Sequence, residues 1–319
     1  MLAVCTMIAK IREMNPMDEP QIQQLIEEVW HGDSDVLPYF RRSGSTQFHV
    51  VFETAGKIAG YGSLTECTLH PVPFYVGLHV HPAHRRQGVG HGLLVTLLQK
   101  NGGFQGRPLQ SATYRHLPEG IQALQHLGFH ETLSTWTGEL QIREIMDRIP
   151  PPEGFQLGSL ADLGQEWVPV LTALHQQIYL NSHGHNPSVL SSAEVAQARF
   201  MGGDLISKLM WVAMHNDQPR ALGSFRATDD QDLLEMGWFG SAGLDPELEE
   251  ALLLSIFSHA AWQAHQMGFQ RLQGEFDSGD ASLAALRHAF PWKVLHEWVT
   301  FQQKRTALFT GLSSTGVSY

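Results

Sequence analysis

The sequence predicts a mixed α/β (α+β) fold built twice in tandem, each copy a mixed, mostly antiparallel central sheet flanked by helices. Three observations predict it. The chain has 319 residues, too many for a usual single core, so two domains are expected. Runs of period 2 and of helical period follow one another as β-α-β-β-β-α-β-α-β over residues 7–141, and the same order begins again beyond residue 160. Residue-level matches connect the halves: Pro82 with Pro246, Leu109-Gln110 with Leu272-Gln273, "ALQH" at 123–126 with "ALRH" at 285–288, and Trp136 with Trp298. All four pairs lie in order at offsets of 162 to 164 residues, a period far beyond that of solenoid repeats. The expected domains are residues 1–148 and 149–319.

Each element has a local cause. Residues 1–6 are expected to be a disordered extension, followed by a strand over "MIAKIREM" (7–14). In "DEPQIQQLIEEVW" (18–30), Ile22, Leu25, Ile26, Val29 and Trp30 share one helical face. "QFHVVFET" (47–54) and "KIAGYGSLTECTL" (57–69) read as a hairpin turned at Ala55-Gly56. "FYVGLHV" (74–80) is a strand, 91–100 a helix and 109–115 a strand. The helix over 118–129 opens near Pro118 and closes on Gly128, as capping favours, and a strand over 130–140 completes the first copy. "IPPPEGFQLGSL" (149–160) is the linker, marked by three consecutive prolines. The second copy then places helices at 162–180 and 191–201 and strands at 210–216, 220–228 and 232–240. A helix at 246–267, a strand at 271–276, a helix at 280–289 and a strand at 294–303 close it.

Composition narrows the class. Hydrophobic residues make up 43% and charged residues 17%, the balance of a globular chain rather than a disordered one. The 32 acids outnumber the 21 bases, for a formal net charge of -11. That argues against a nucleic-acid scaffold and suits a protein that attracts cationic small molecules. Cys5 and Cys67 are the only cysteines, too few for a disulfide framework, which predicts a reducing, cytoplasmic setting. The first ten residues lack the basic and apolar regions of a signal peptide, and no stretch is apolar for long enough to span a bilayer. Among the 18 histidines, His183 and His185, or His79 and His81, have spacings a metal could use, but no third ligand is placed. No metal is expected.

The densest Arg-Gly cluster of this acidic chain lies in "VHPAHRRQGVGHGLL" (80–94), between the strand 74–80 and a helix. A dinucleotide fingerprint would need glycine at Leu93, and a P-loop would need Gly-Lys-Ser/Thr. What remains is Arg85-x-x-Gly88-x-Gly90 at a strand-to-helix turn. There the glycines let successive amides point into one concavity, and the helix N-terminus adds positive potential for an anion. Arg85 and Arg86 supply charge-assisted contacts.

This turn resembles the signature of the GNAT superfamily of N-acetyltransferases: a strand ending in Val-x-Pro, then R-x-x-G-x-G opening a helix. The element order of residues 7–141 and the Gly128-Phe129 ending of the later helix are similar too. The resemblance implies that acetyl-CoA is the co-substrate, its diphosphate resting on Arg85, Arg86 and the amides of Gln87, Gly88, Val89, Gly90 and His91. It also implies that the pantetheine arm runs along a splayed strand at Leu78, His79 and Val80, with an N–H near His79 or Val80 as oxyanion donor. The second copy departs from this pattern. "LDPELEEALLL" (244–254) carries Glu249 and Glu250 and no glycine, so that copy is expected to keep the fold and to have lost acetyl-CoA.

Acyl transfer to an amine needs a base for the ammonium and an acid for the thiolate. The family's usual tyrosine acid falls on Leu124, so it is missing. Tyr75, Gly77, His79 and His81 share one strand face, and His79 is the first candidate base because imidazole titrates near neutrality. Tyr75, Glu66 and Tyr114 are the further candidates. The resulting expectation is N-acetylation of a small, cationic amine by direct attack in a ternary complex, in a monomer or homodimer without nucleic-acid or membrane partners. The rivals are a catalytically silent acyl-CoA-binding protein and a protein-directed acetyltransferase. The polar, glycine-rich stretch 181–204 is expected to carry acceptor-binding loops.

Overall fold

The computed structural model describes residues 9–31, 47–100, 107–145, 147–190 and 192–303. The extension expected at residues 1–6 lies outside the described residues, as does Cys5. The described residues divide into two compact units. One comprises residues up to Thr113, Leu117–Thr132 and those from Phe301 on; the other comprises Tyr114–His116 and Leu133–Thr300.

The first unit contains β1 (Lys10–Glu13), α1 (Glu19–Val29), β2 (Gln47–Thr54), β3 (Lys57–Glu66), β4 (Phe74–Val80), α2 (Val89–Lys100), β5 (Leu109–Tyr114) as far as Thr113, and α3 (Pro118–His126). Strands β1 to β5 lie in chain order, antiparallel as far as β4, with β5 parallel to β4. α1 forms because Ile22, Leu25 and Ile26 recur at helical spacing and are buried. α2 buries Val89, Leu93, Leu94, Leu97 and Leu98. Arg12 ties β1 into the unit, bonding both carboxylate oxygens of Asp18 at 2.7 and 2.9 Å and Glu53 at 2.7 Å. No helix among the described residues is long and apolar enough to cross a membrane.

The second unit takes β6 (His130–Gln141) from Leu133 on, then β7 (Gln156–Ser159), α4 (Leu160–Leu163), α5 (Val168–Ser182), α6 (Ala193–Phe200), β8 (Leu205–His215) and β9 (Gln218–Ala227). It continues with β10 (Leu233–Ser241), α7 (Pro246–Gln266), β11 (Arg271–Asp277), α8 (Ala281–Ala289) and β12 (Lys293–Gln303) as far as Thr300. Its strand order is β12-β6-β11-β10-β9-β8-β7, with β11 parallel to β10. α7 lays Leu252, Leu253, Ile256, Phe257 and Ala260 against Phe225, Phe239 and Phe276. α5 packs Leu171, Leu174 and Ile178 with Met210, Val212 and Leu222.

The expected boundary at 148/149 does not coincide with the division into units. β6 pairs antiparallel with β11 from Thr135–Asp277 to Gln141–Arg271, so a strand counted with the first domain belongs to the second unit. The end of β12 belongs to the first: Gln302 donates to Gln110 at 3.0 Å and Gln303 to the Leu127 carbonyl at 2.9 Å. Within the expected linker, Gln156–Ser159 forms β7 against β8. The helix expected at 162–180 is two: α4, closed at Gly164 (φ 100°), and α5, which starts afresh with a proline in its first turn.

Candidate functional site

β4 and β5 pair only at Phe74–Leu109 and Tyr75–Gln110, and beyond these positions the two parallel strands part. The other edge of β4 stays laddered to β3 as far as Val80–Gly60. The His81 N–H donates to the Ala59 carbonyl at 3.0 Å and the Phe74 N–H to the Pro108 carbonyl at 2.9 Å. Backbone groups alternate along a strand, so His79 and Gly77 face β3, whereas Val76, Leu78 and Val80 face the gap. A cleft edged by the N–H groups of Leu78 and Val80 therefore opens in the first unit. The His79 N–H, one of two oxyanion donors expected from the sequence, points away from it.

The turn that follows joins β4 to α2 through left-handed backbone. His81 Nδ1 accepts from the Ala83 N–H at 3.2 Å, and its Nε2 lies 3.4 Å from Glu28 Oε2. Arg86 (φ 62°) and Gly88 (φ 80°) both take left-handed backbone, which turns the intervening amides into a concavity. A side chain on Gly88 would meet nothing within 4 Å, so glycine is needed there for its conformation and not for room. The first helical bond of α2 runs from the Gly92 N–H to the Gly88 carbonyl at 2.9 Å. The amides of Val89, Gly90 and His91 thus precede any intrahelical partner. Arg85 Nε donates to the Val80 carbonyl at 3.1 Å, and its Nη1 lies 3.3 Å from Glu119 Oε1. Arg86, Gln87, Gly88 and His91 are exposed.

On the face of β4 opposite α2, His79 is partly buried. Trp30, which closes α1, donates its indole N–H to His79 Nδ1 at 3.0 Å. Indole is only a donor, so the neutral imidazole carries its proton on Nε2. Burial lowers the His79 pKa to about 4. His79 stacks on Tyr61, whose hydroxyl lies 2.7 Å from His49 Nδ1. Burial raises the Tyr61 pKa and lowers that of His49.

The geometry therefore reassigns the candidate acid-base residues. His79 is neutral at pH 7, but its lone pair is engaged by Trp30, so it presents an N–H donor and not a base. Glu66 is bound to Arg107 opposite Phe74, about 20 Å of strand away from Val80. Tyr114 lies in the second unit, buried among His116, His296 and Trp298 at ring separations of 5.2, 5.1 and 4.6 Å. Tyr75 stays on the His79 face, half-buried opposite Thr65. Leu124 is a core residue of α3. Trp30, His49 and Tyr61 were not singled out as site residues in the sequence. The only signal was alternation, which puts Tyr61 and Ser63 on one face of β3.

The second unit repeats the opening with other groups. β10 and β11 pair from Leu233–Arg271 to Glu235–Gln273 and then part. The Ala242 N–H donates to the Arg220 carbonyl at 3.2 Å, which makes Ser241 the counterpart of Val80. Here the gap-facing Ser241 N–H donates to Glu249 Oε1 at 3.0 Å, and its hydroxyl donates to the same oxygen at 2.8 Å. Asp245 caps α7 by accepting from the Leu248 N–H at 3.0 Å.

Residues 11–129 match the model of the acetyltransferase (GNAT) family, and the match supports acyl-transfer chemistry in general. The fold is similar to that of a GCN5-related N-acetyltransferase from Sphaerobacter thermophilus, at 17% identity over 93% of this chain and 95% of that one, with a TM-score of 0.65. It is also similar to a tandem GNAT protein from the clavulanic acid biosynthesis pathway (15%, 93% and 98%, TM-score 0.57). A third likeness is to the glucosamine N-acetyltransferase region of a fungal multi-domain GH3 β-N-acetylglucosaminidase (14%, 94% and 38%, TM-score 0.63). At these identities the likeness is one of fold. No curated protein matches the chain.

Proposed function

We propose that the chain is an acetyl-CoA-dependent N-acetyltransferase acting on a small amine, with acetyl-CoA held by the first unit. The observation that carries this reading is the parting of β4 from β5 after Tyr75, which leaves the Leu78 and Val80 amides facing a cleft that leads to the Gly88 turn. Arg85, Arg86 and the amides from Gln87 to His91 would take the diphosphate, and the gap edge of β4 would take the pantetheine amides as an added strand.

In the reaction water takes one proton from the ammonium, the freed amine nitrogen attacks the thioester carbonyl carbon, the C–S bond breaks, and a second nitrogen proton passes through water to the thiolate, which leaves as CoA thiol. The N–H of Leu78 or Val80 stabilises the developing oxyanion. His79 offers its Nε2–H to orient a group on the acceptor side, and water accepts the amine proton. The acid excess of the chain favours a cationic acceptor. Release of free CoA thiol, measured against a panel of primary amines that includes an amino sugar, tests the proposal. Turnover with at least one amine is expected. Binding of acetyl-CoA without turnover on any amine or peptide would instead make the chain a silent acyl-CoA-binding protein, a reading that Leu124 and the engaged lone pair of His79 favour.

A further inference from the structure

One face of the first unit carries polar groups that a diphosphate and a pantetheine arm do not use. Register places Tyr61 and Ser63 of β3 opposite His79 and Gly77 of β4, and His49 of β2 opposite Ser63. All lie on the face away from α2. A Cβ on Gly77 would come within 2.7 Å of Ser63 Oγ and 3.5 Å of His79 Nε2. The hydroxyl and the imidazole thus converge over the glycine, and any side chain there would push the hydroxyl aside. Ser63, Gly77 and His79 are only partly buried, so a ligand can reach them. Gly77 also precedes Leu78, whose N–H faces the gap between β4 and β5, so this polar floor borders the cleft.

The two converging groups offer opposite halves of a hydrogen bond. Trp30 occupies His79 Nδ1, so Nε2 carries the proton, and that N–H has no partner among the described residues. Ser63 hydrogen-bonds Tyr61 and opposes the burial that raises the phenol's pKa, which is the effect of a donor. The Tyr61 proton is then left for His49 Nδ1, 2.7 Å away. With its own proton given to Tyr61, Ser63 Oγ keeps a lone pair over Gly77. Burial lowers the pKa of both imidazoles, so the set carries no charge at pH 7. One neutral donor beside one neutral acceptor suits a hydroxyl, which is both. An ammonium cannot accept from His79, and a carboxylate cannot donate to Ser63.

We infer that Ser63 and His79 read a hydroxyl on the acceptor, and that the acceptor is a vicinal amino alcohol. The inference rests on the acetyltransferase reading above, which puts the attacking nitrogen beside Leu78 and Val80. A hydroxyl on the carbon next to the amine-bearing carbon then falls over Gly77, where it accepts from His79 Nε2–H and donates to Ser63 Oγ.

Release of CoA thiol with 2-aminoethanol, propylamine and 1,2-diaminoethane tests it, with acetyl-CoA affinity measured by calorimetry alongside. Propylamine has the length of the amino alcohol without its hydroxyl, and the diamine puts a second nitrogen in its place. The kcat/KM for 2-aminoethanol should exceed that for either of the others by about tenfold or more. Its ratio to propylamine should fall to within about twofold of unity in Ser63→Ala, which removes the oxygen, and in Gly77→Ala, which displaces it. Ser63→Ala decides alone if Gly77→Ala loses its thermal transition. Equal turnover of propylamine and 2-aminoethanol, preference for the diamine, or a ratio kept in Ser63→Ala would overturn the inference and leave the acetyltransferase reading standing. Acetyl-CoA binding without thiol release from any amine would overturn that reading and this inference together.

Discussion

The two units open the same parallel strand pair and fill the opening with opposite charge. In the first, the Val80 carbonyl is taken by the Arg85 guanidinium and the helix amides after Gly88 precede any intrahelical partner. In the second, the Ser241 N–H is taken by the Glu249 carboxylate, and the Asp245 carboxylate caps the helix. One register position earlier, His79 lies opposite Tyr61, whereas Gly240 lies opposite Leu222. A side chain on Gly240 would come within 2.5 Å of Ile178, so there the apolar helix has closed on the sheet. The ladder and the core preserve the opening; a handful of residues at the strand end and the helix start set its charge.

The largest expected effect comes from giving the first cleft the character of the second. Arg85→Glu with Gly88→Val places a carboxylate beside Glu119 and forces a β-branched residue into left-handed backbone. Acetyl-CoA affinity should fall at least a hundredfold by calorimetry, while Glu249→Gln leaves it unchanged. One acetyl-CoA per chain is the expected stoichiometry. Two equivalent sites would show that the carboxylates of the second unit do not exclude the diphosphate, and the comparison would break.

A smaller effect distinguishes the faces of β4. With its pKa near 4, His79 is neutral throughout the pH range 6 to 7 and contributes no limb to the rate profile there. Trp30→Phe removes the indole N–H and frees Nδ1. The imidazole should then titrate at higher pH by NMR, and turnover should fall about tenfold as the ring loses its fixed orientation. A parent imidazole that titrates between 6 and 7 would restore His79 as the base.

Most of this frame was legible from sequence, because it depends on local pattern. The hairpin at 47–66, the turn at 80–92 and α7 follow from alternation, Arg-Gly spacing and a proline-led apolar helix. What the sequence hid depends on pairing between distant segments. That β6 joins β11 is a matter of register between residues some 130 apart, and nothing in "HETLSTWTGEL" marks its partner. The role of His79 failed for a similar reason. Its lone pair is claimed by Trp30, 49 residues away, which the sequence shows only as the apolar end of a helix. Glu66 looked free because its partner, Arg107, adjoins a different strand.

The smallest effect concerns the imidazole buried in each unit. His79 has the Trp30 N–H as partner, whereas His175 is fully buried against Phe200, with ring centroids 4.3 Å apart and no hydrogen bond to either nitrogen. Burial, with the charges of Arg226 and Arg199, lowers its pKa to about 3. A histidine with a folded pKa below its unfolded value takes up its proton more readily when unfolded. The stability held above about pH 6.5 is therefore lost as pH falls toward the folded pKa. His175→Phe keeps a ring on Phe200, removes two unsatisfied nitrogens and removes that proton uptake. Thermal unfolding should show a gain of about 1 kcal/mol at pH 7 and a shallower loss between pH 6.5 and 4. A His79→Phe variant should flatten the same acid limb without the gain at pH 7, because it discards a satisfied hydrogen bond. Equal responses in the two variants would mean that the partnered and unpartnered imidazoles do not differ in the way the structure shows.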